Sequence, residues 1–366
     1  MLLERVKVRG FRNIENEEVS FSPGVNFIYG KNAEGKTNLL EAVYYFSRGK
    51  SFRGATDREL CSFGRSGFEI AADFLGGGRR KTLLYRTEGR DKVRLYNGAP
   101  VDRAGDMIGH FRAVLFHPEH LLLVKGSPEG RREFLNVAIA GNDPSYLSLY
   151  ATYAKILEER NSLLKLAHKG GPFIEDEFCV WSERLAAAAA SITARRYEYV
   201  RRLSPAAADI LTSLSAGRET LTVGYQSEVL ENSIPILSEI YANLYKNDVR
   251  REIAAGFTVH GPHHDDLSLT LSGHAAREFA SQGQQRSITL ALKLAEGEVS
   301  RELKGEYPVF LFDDVMSELD PARRQFLLSS LEGRQILVTA CDERDLSAAG
   351  VHRIATRGGH YEAVVE

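Results

Sequence analysis

Eight consecutive residues, Gly30, Lys31, Asn32, Ala33, Glu34, Gly35, Lys36 and Thr37, satisfy the pattern G-x-x-x-x-G-K-[ST] at every fixed position. Glycines let such a loop wrap closely around a polyanion, so that backbone N–H groups and the positive end of a following helix face phosphate. Lys36 then neutralises the outer phosphates and Thr37 presents a hydroxyl to Mg²⁺, which makes ATP and Mg²⁺ the expected ligands. A second source of negative charge for the metal is needed, and the apolar run Val309, Phe310, Leu311, Phe312 delivers it by ending in Asp313 and Asp314. Asp313 suits the metal, and Asp314 suits the orientation or deprotonation of an attacking water. Lys36, Asp313 and Asp314 are therefore the catalytic candidates, with Thr37 and Asp313 as the metal pair.

These residues need elements that hold them. Residues 25–29 read as a strand, and Leu39, Leu40, Val43 and Phe46 recur at helical spacing, so the loop stands between strand and helix. The run 309–312 reads as a buried parallel strand, and 335–338 as another. Nearer the amino terminus, Val6 and Val8 alternate with Lys7 and Arg9. A Gly76-Gly77-Gly78 turn joins two strand-like runs, and Asn97-Gly98 is a further hairpin signal. From Ser127, an N-cap followed by Pro128, the pattern becomes helical, with long segments at 146–165 and 183–203. Strand signals return at 257–259 and 267–271. This predicts an α/β protein with a mixed β-sheet head, an antiparallel β subdomain and an inserted, mainly helical lobe. The domain limits are 1–118, 119–257 and 258–366.

Ser281-Gln282-Gly283-Gln284-Gln285-Arg286 opens a helix that precedes the Asp313 strand, and this segment resembles the signature motif of ABC-type ATPases. The resemblance implies that Ser281, Gly283 and Gln284 of one copy approach the ATP held by the phosphate loop of another, so the site is complete only in a homodimer. Ser317-Glu318-Leu319-Asp320 resembles the dimer-contact loop of that class.

Nearly the whole chain resembles the RecF family of bacterial DNA replication and repair proteins, related to SMC-type ATPases. The matching segments are residues 10–13 (GFRN), 30–37, 51–53 (SFR), 123–128 (LVKGSP), 261–267 (GPHHDDL), 281–286 and 312–320. The family implies an ABC-ATPase-like head, ATP-driven dimerisation around double-stranded DNA and a weak, DNA-stimulated ATPase. It also implies a cytoplasmic role in recombinational repair of gapped DNA with RecR and, indirectly, RecO, linked to the SOS response. Some positions depart from the pattern. Asp314 stands where transporter ATPases commonly have Glu, which predicts slow turnover. Phe116-His117-Pro118 contains no Gln where related ATPases place a metal contact, Thr339 and Ala340 replace a phosphate-sensing His, and His264 stands where the family usually has Arg.

The composition sets limits. The 366 residues are 43% hydrophobic and 26% charged, an ordinary globular mixture, and the net charge of −2 supplies no global attraction to DNA or lipid. DNA contact must then be local, or switched. Arg53 resembles an arginine-bearing loop that touches phosphate or DNA in related heads, and a plain surface role is the other reading. Arg184, Arg195 and Arg202 fall near one helical face, as a DNA stripe or as a solvated face. Arg12 is similarly open between function and a structural part at a strand edge. Cys61, Cys179 and Cys341 lack the spacing of a zinc site or a disulfide framework, and no segment reads as a secretion signal or membrane span. Residues 263–266 (HHDD) contain metal-binding types, but the family pattern accounts for them. Three rival functions use the same loop: a transporter ATPase subunit, a nucleotide-binding scaffold that scarcely hydrolyses, and a metabolite kinase, for which the Ser281 motif has no task.

Overall fold

Alternation at the amino terminus becomes β1 (Leu2–Phe11), with Val6 and Val8 buried while Lys7 and Arg9 face outward. The structure, a computed structural model, describes residues 1–231, 233–316, 319–330, 332–343 and 350–364. β2 (Ile14–Ser20) follows, then β3 (Val25–Tyr29), α1 (Lys36–Arg48) and the short α2 (Asp57–Leu60). β4 (Gly67–Gly76), β5 (Arg79–Glu88), β6 (Asp91–Tyr96), β7 (Ala99–Pro100) and β8 (Ala113–Phe116) complete this stretch. An antiparallel sheet in the order β2-β1-β4-β5-β6-β7 results. Its hairpins turn where expected: Gly77 and Gly78 have φ of 59° and 72°, and Asn97 and Gly98 have 49° and 79°. Paired positive φ values match the right-handed twist of the strands they join.

The next stretch contains α3 (Leu122–Lys125), α4 (Pro128–Asn142), α5 (Pro144–His168), α6 (Glu175–Leu214), β9 (Leu221–Gln226), α7 (Ile234–Asn247) and α8 (Val249–Ala255). β10 (Asp266–Leu271), β11 (His274–Ala275) and α9 (Ala276–Phe279) close it. Ser127 is the N-cap of α4, with Pro128 in its first turn. The long helix differs from its expected span of 183–203, because it runs through Pro205. An interior proline costs about 3 kcal/mol. Leu203, Ala207 and Leu211, all fully buried on either side of it, offset that, since one buried leucine contributes about 1.5–3 kcal/mol. Residues 257–259 form no strand; Thr258 instead bonds Asn161 and Arg160. β10 pairs in register with β9 from Asp266↔Gln226 to Leu271↔Leu221.

α10 (Gln282–Lys304), β12 (Val309–Phe312), α11 (Pro321–Ser330), β13 (Ile336–Ala340), β14 (His352–Arg357) and β15 (His360–Val364) end the chain. The second six-stranded sheet has the order β15-β14-β3-β13-β12-β8, parallel except at β15. The chain divides into one unit of Met1–Leu121 with Arg286–Glu366 and another of Leu122–Gln285. The expected boundary at 257 thus differs from the compact unit, which retains residues 258–285 because β10 has its only long partner, among the described residues, in β9. In the first unit α1 is buried almost all round, with Leu39, Leu40, Ala42, Val43 and Phe46 in one core with side chains of both sheets. Burial on nearly every side, of polar residues such as Glu41 and Ser47 as well as apolar ones, holds α1 in place and so fixes where the phosphate loop begins.

The second unit carries a histidine clip. His260 Nδ1 and Nε2 lie 2.7 Å from Glu228 Oε2 and 2.7 Å from Asp248 Oδ2. Burial opposes protonation, but the two carboxylate bonds outweigh it and raise the imidazole above its usual 6.5. A raised folded-state value means the clip contributes fully below 6.5 and is lost as pH climbs through the folded value. NMR titration of the full chain is expected to place His260 above 6.5, and the double variant Glu228→Gln, Asp248→Asn should bring it below. An unchanged midpoint in that variant would remove the carboxylates as the cause.

Candidate functional site

The carboxyl ends of β3, β12, β13 and β8 lie side by side, which is where parallel α/β sheets collect ligands. The loop leaving β3 is tightly held: a Cβ on Gly30 would stand 2.4 Å from Thr356 O, so only glycine fits. Gly35 has φ 114°, and Tyr361 Oη donates to its carbonyl at 2.8 Å. Gly35 is also the N-cap of α1, with no side-chain capping bond and no acidic residue in the first turn. The amides that a cap usually satisfies are left facing the loop, which is the arrangement phosphate oxygens require. Lys36 Nζ reaches across the loop to Gly30 O at 2.5 Å and Lys31 O at 2.8 Å. Lys31 N donates to Glu34 Oε2 at 3.1 Å, which tightens the same turn, and Ala33 adopts φ 68° within it.

The sheet brings the distant carboxylate to the loop. Asp313 Oδ1 accepts from Thr37 Oγ1 at 2.8 Å and from Thr339 Oγ1 at 2.9 Å. Burial raises the Asp313 carboxyl, with both hydroxyl bonds pulling the other way. A divalent cation would restore the charged form. One hydroxyl and one strand-end carboxylate fit Mg²⁺, which keeps several waters and takes its remaining oxygens from phosphates. Among the described residues no cluster of three or more His, Cys, Asp or Glu forms a protein-only metal cage. Asp314 sits at φ 52° with its N–H donated to Thr339 Oγ1 at 2.9 Å. Thr339 therefore organises both aspartates, a role its sequence position beside Ala340 only hinted at. Cys341 Sγ lies 2.9 Å from Asn32 Oδ1 of the loop.

Glu41 is a member that sequence reasoning missed. This fully buried carboxylate on α1 accepts from Arg12 Nε and Nη2 at 2.9 Å each, from Arg53 Nη2 at 2.5 Å and from Ser51 Oγ at 2.5 Å. Burial pushes its acidity down, but the two guanidiniums and the hydroxyl outweigh burial and hold it below the usual carboxylate range. Its only sequence signal was an acid among apolar helix positions. Arg12, at φ 55°, is thereby fixed in a structural ion pair. Arg53 also donates to Asn38 Oδ1 at 2.7 Å, which fastens the residue expected at phosphate or DNA to the Thr37 helix.

In the second unit Ser281 and Gln284 form a reciprocal capping box at the start of α10. Gln284 N donates to Ser281 Oγ at 3.3 Å, and Ser281 N donates to Gln284 Oε1 at 2.8 Å. Ser281 is exposed, and among the described residues its hydroxyl donates no hydrogen bond. Gln284, expected at the nucleotide, uses the other end of its amide on Glu219 at 2.9 Å, and Gly283 lies in the first turn between them. Ser317 and Glu318 of the expected dimer-contact loop lie outside the described residues.

The arginine stripe is already partnered. Arg195 Nη1 bonds Asp143 at 2.8 Å, Arg202 pairs with Glu198 at 2.8 Å, and Arg184 lies over Trp181 at 5.6 Å. Asp266 is gripped by Arg131 through two bonds of 2.6 Å, and Asp265 accepts from Tyr225 Oη. These carboxylates serve the lobe's own polar network.

Residues 2–357 match the family described as RecF/RecN/SMC N terminal domain. The DNA replication and repair protein RecF of Heliobacterium modesticaldum is 38% identical over 363 residues, covering 97% of each chain. That of Halalkalibacterium halodurans is 37% identical over 363 residues, covering 97% of this chain and 98% of the relative. A solved structure of the recombination mediator protein RecF-ATPrS in the RecFOR pathway superposes with a TM-score of 0.92 at 34% identity, covering 99% and 98% of the two chains. An SmcHead bound to the C-winged helix domain of ScpA, at 18% identity and a TM-score of 0.57 over 100% and 97%, shares the fold. No helix among the described residues is long and apolar enough to cross a membrane. With an ABC-ATPase-like α/β head, a phosphate loop and matches over nearly its full length, the chain belongs to the RecF family of DNA replication and repair proteins.

Proposed function

We propose that this chain is an ATP-gated recombination mediator that closes as a homodimer on duplex DNA and acts at gapped DNA and stalled replication with RecR and, through it, RecO. The observation that carries the reading is the Thr37–Asp313–Thr339 hydrogen-bonded chain beneath an uncapped helix end, in a chain that matches RecF structures end to end. In this reading Gly30 to Thr37 enclose the phosphates, Lys36 neutralises the outer ones, and Thr37 and Asp313 hold Mg²⁺. The metal, when bound, stabilises charge on the phosphate oxygens. Ser281 and the first amides of α10 in a second copy take the terminal phosphate, so ATP joins two chains. Asp314 is one methylene short of glutamate and is turned by its φ of 52°, which favours slow hydrolysis and makes ATP a timer for release.

Dimerisation would join local basic surfaces that are weak in one copy. Arg53 and the Arg184, Arg195, Arg202 face are the proposed DNA contacts, with the last two exchanging Asp143 and Glu198 for phosphate. Each neutralised phosphate releases counterions, so duplex affinity is expected to fall steeply with salt. Ultracentrifugation with ATP, ADP or no nucleotide tests the clamp. Wild type should double its mass only with ATP, while Lys36→Met and Ser281→Arg stay monomeric. One mass in every nucleotide state across the concentration range would exclude it.

A further inference from the structure

We propose that His117 is a catalytic residue of ATP hydrolysis, its ring nitrogen accepting a hydrogen bond from the water that attacks the terminal phosphorus. The inference deepens the nucleotide reading above and rests on it. β8 runs parallel to β12 with Phe116 opposite Phe312, and Asp313 N donates to Phe116 O at 2.9 Å. His117 consequently stands beside Asp313, one strand spacing of about 4.8 Å away.

Strand alternation sets the direction of its side chain. Leu115 and Leu311 share the core around α1, whereas the Phe116 and Phe312 rings meet at 6.2 Å on the other side. The next pair, His117 and Asp313, returns to the α1 side. Two contacts agree: Asp313 reaches Thr37 of α1, and the His117 ring lies 5.3 Å from Phe52, the neighbour of Arg53. The imidazole is thus on the phosphate-loop side at the strand ends. It is partly exposed, and among the described residues neither ring nitrogen has a hydrogen-bond partner. His120 holds it from behind, with Nδ1 accepting the His117 N–H at 3.2 Å and the rings 4.0 Å apart.

The chemistry suits an acceptor. Burial, with the Lys293 ammonium adding to it, disfavours the charged form of the His117 imidazole. A neutral ring has one lone pair for a water O–H. The water oxygen bonds to the terminal phosphorus as the bond to the bridging oxygen breaks. That electron pair leaves with ADP, and the water proton steered towards His117 departs with inorganic phosphate. Asp314 stands just past the end of β12, so its shortened reach is shared with a second acceptor.

Two measurements on the full chain decide the matter. With Mn²⁺ and an unhydrolysable ATP analogue, the ¹⁵N-imidazole signal of His117 should broaden beyond detection. His352, at the opposite end of the same sheet beside Asn26, should stay sharp. In single-turnover hydrolysis His117→Ala should be slower by about 100-fold, the low end of a positioned acceptor's effect. His117→Gln, which keeps an acceptor oxygen, should recover to within about fivefold. Both variants should bind the analogue within about threefold of wild type, since the lost contact is to water and not to nucleotide. A sharp His117 signal in the loaded protein, or a wild-type rate in His117→Ala, overturns the assignment while the ATPase reading stands. A wild type that binds no ATP, or binds it and never hydrolyses it, overturns the assignment together with the ATPase reading.

Discussion

Lys36→Met will weaken ATP binding by about 100-fold or more and leave the fold intact. Two charge-assisted bonds to phosphate oxygens, at about 1.5–3 kcal/mol each, disappear with the ammonium, and 1.4 kcal/mol is a tenfold change in affinity. The fold survives for a reason visible in the loop. Among the described residues Lys36 Nζ donates only to the Gly30 and Lys31 carbonyls, which face the loop and can be taken by water, and methionine preserves the packed stem. Calorimetric titration with an unhydrolysable analogue reads the first effect and urea unfolding reads the second. Affinity within threefold of wild type would show that Lys36 does not meet phosphate.

The parts of this site that were legible in sequence are those with obligatory local chemistry. Gly30, Gly35, Lys36 and Thr37 must be these types for a loop to wrap phosphate, and the all-buried run Val309 to Phe312 could scarcely be anything but an interior strand. Hairpins at Gly77-Gly78 and Asn97-Gly98 were readable because only a few residues tolerate positive φ. What escaped depends on partners distant in the chain. α6 continues past Pro205 because Ala207 and Leu211 are buried, and no window around the proline reveals that. Residues 258–285 stay with the second unit because β10 finds β9. The basic stripe looked bare because Asp143, which engages Arg195, is separated by more than fifty positions. Thr339 and Glu41 acquire their roles only when β13 and α1 are set against their neighbours. The Ser281 and Gln284 capping box, by contrast, stands in the sequence as S-x-x-Q, and it starts α10 whether or not phosphate is bound.

Glu41→Ala is expected to cost about 3–5 kcal/mol of folding stability, the usual consequence of breaking a buried ion pair by removing one partner. Arg12 and Arg53 would face each other across the space the carboxylate filled, and Ser51 would lose its acceptor. Glu41→Gln should lose less, because its amide oxygen still accepts one bond. Glu41→Leu combined with Arg12→Met and Arg53→Met should regain much of the loss, since a packed apolar trio can replace a buried charge network of similar volume. Urea midpoints of these three variants form the test, and a triple variant as weak as Glu41→Ala would mean that the charges, and not the packing, hold α1 in place. The sign with acid is also fixed. The Glu41 carboxyl is held below its usual 4.5, so its contribution is complete above that value and is lost as pH falls through the depressed folded-state value. Wild type should therefore lose stability in that acid range by more than Glu41→Gln does. Because Arg53 also holds Asn38 one residue beyond Thr37, Glu41→Gln should weaken ATP binding only modestly. A Glu41→Gln protein that folds as firmly as wild type but no longer binds nucleotide would transfer this carboxylate from the scaffold to the site itself.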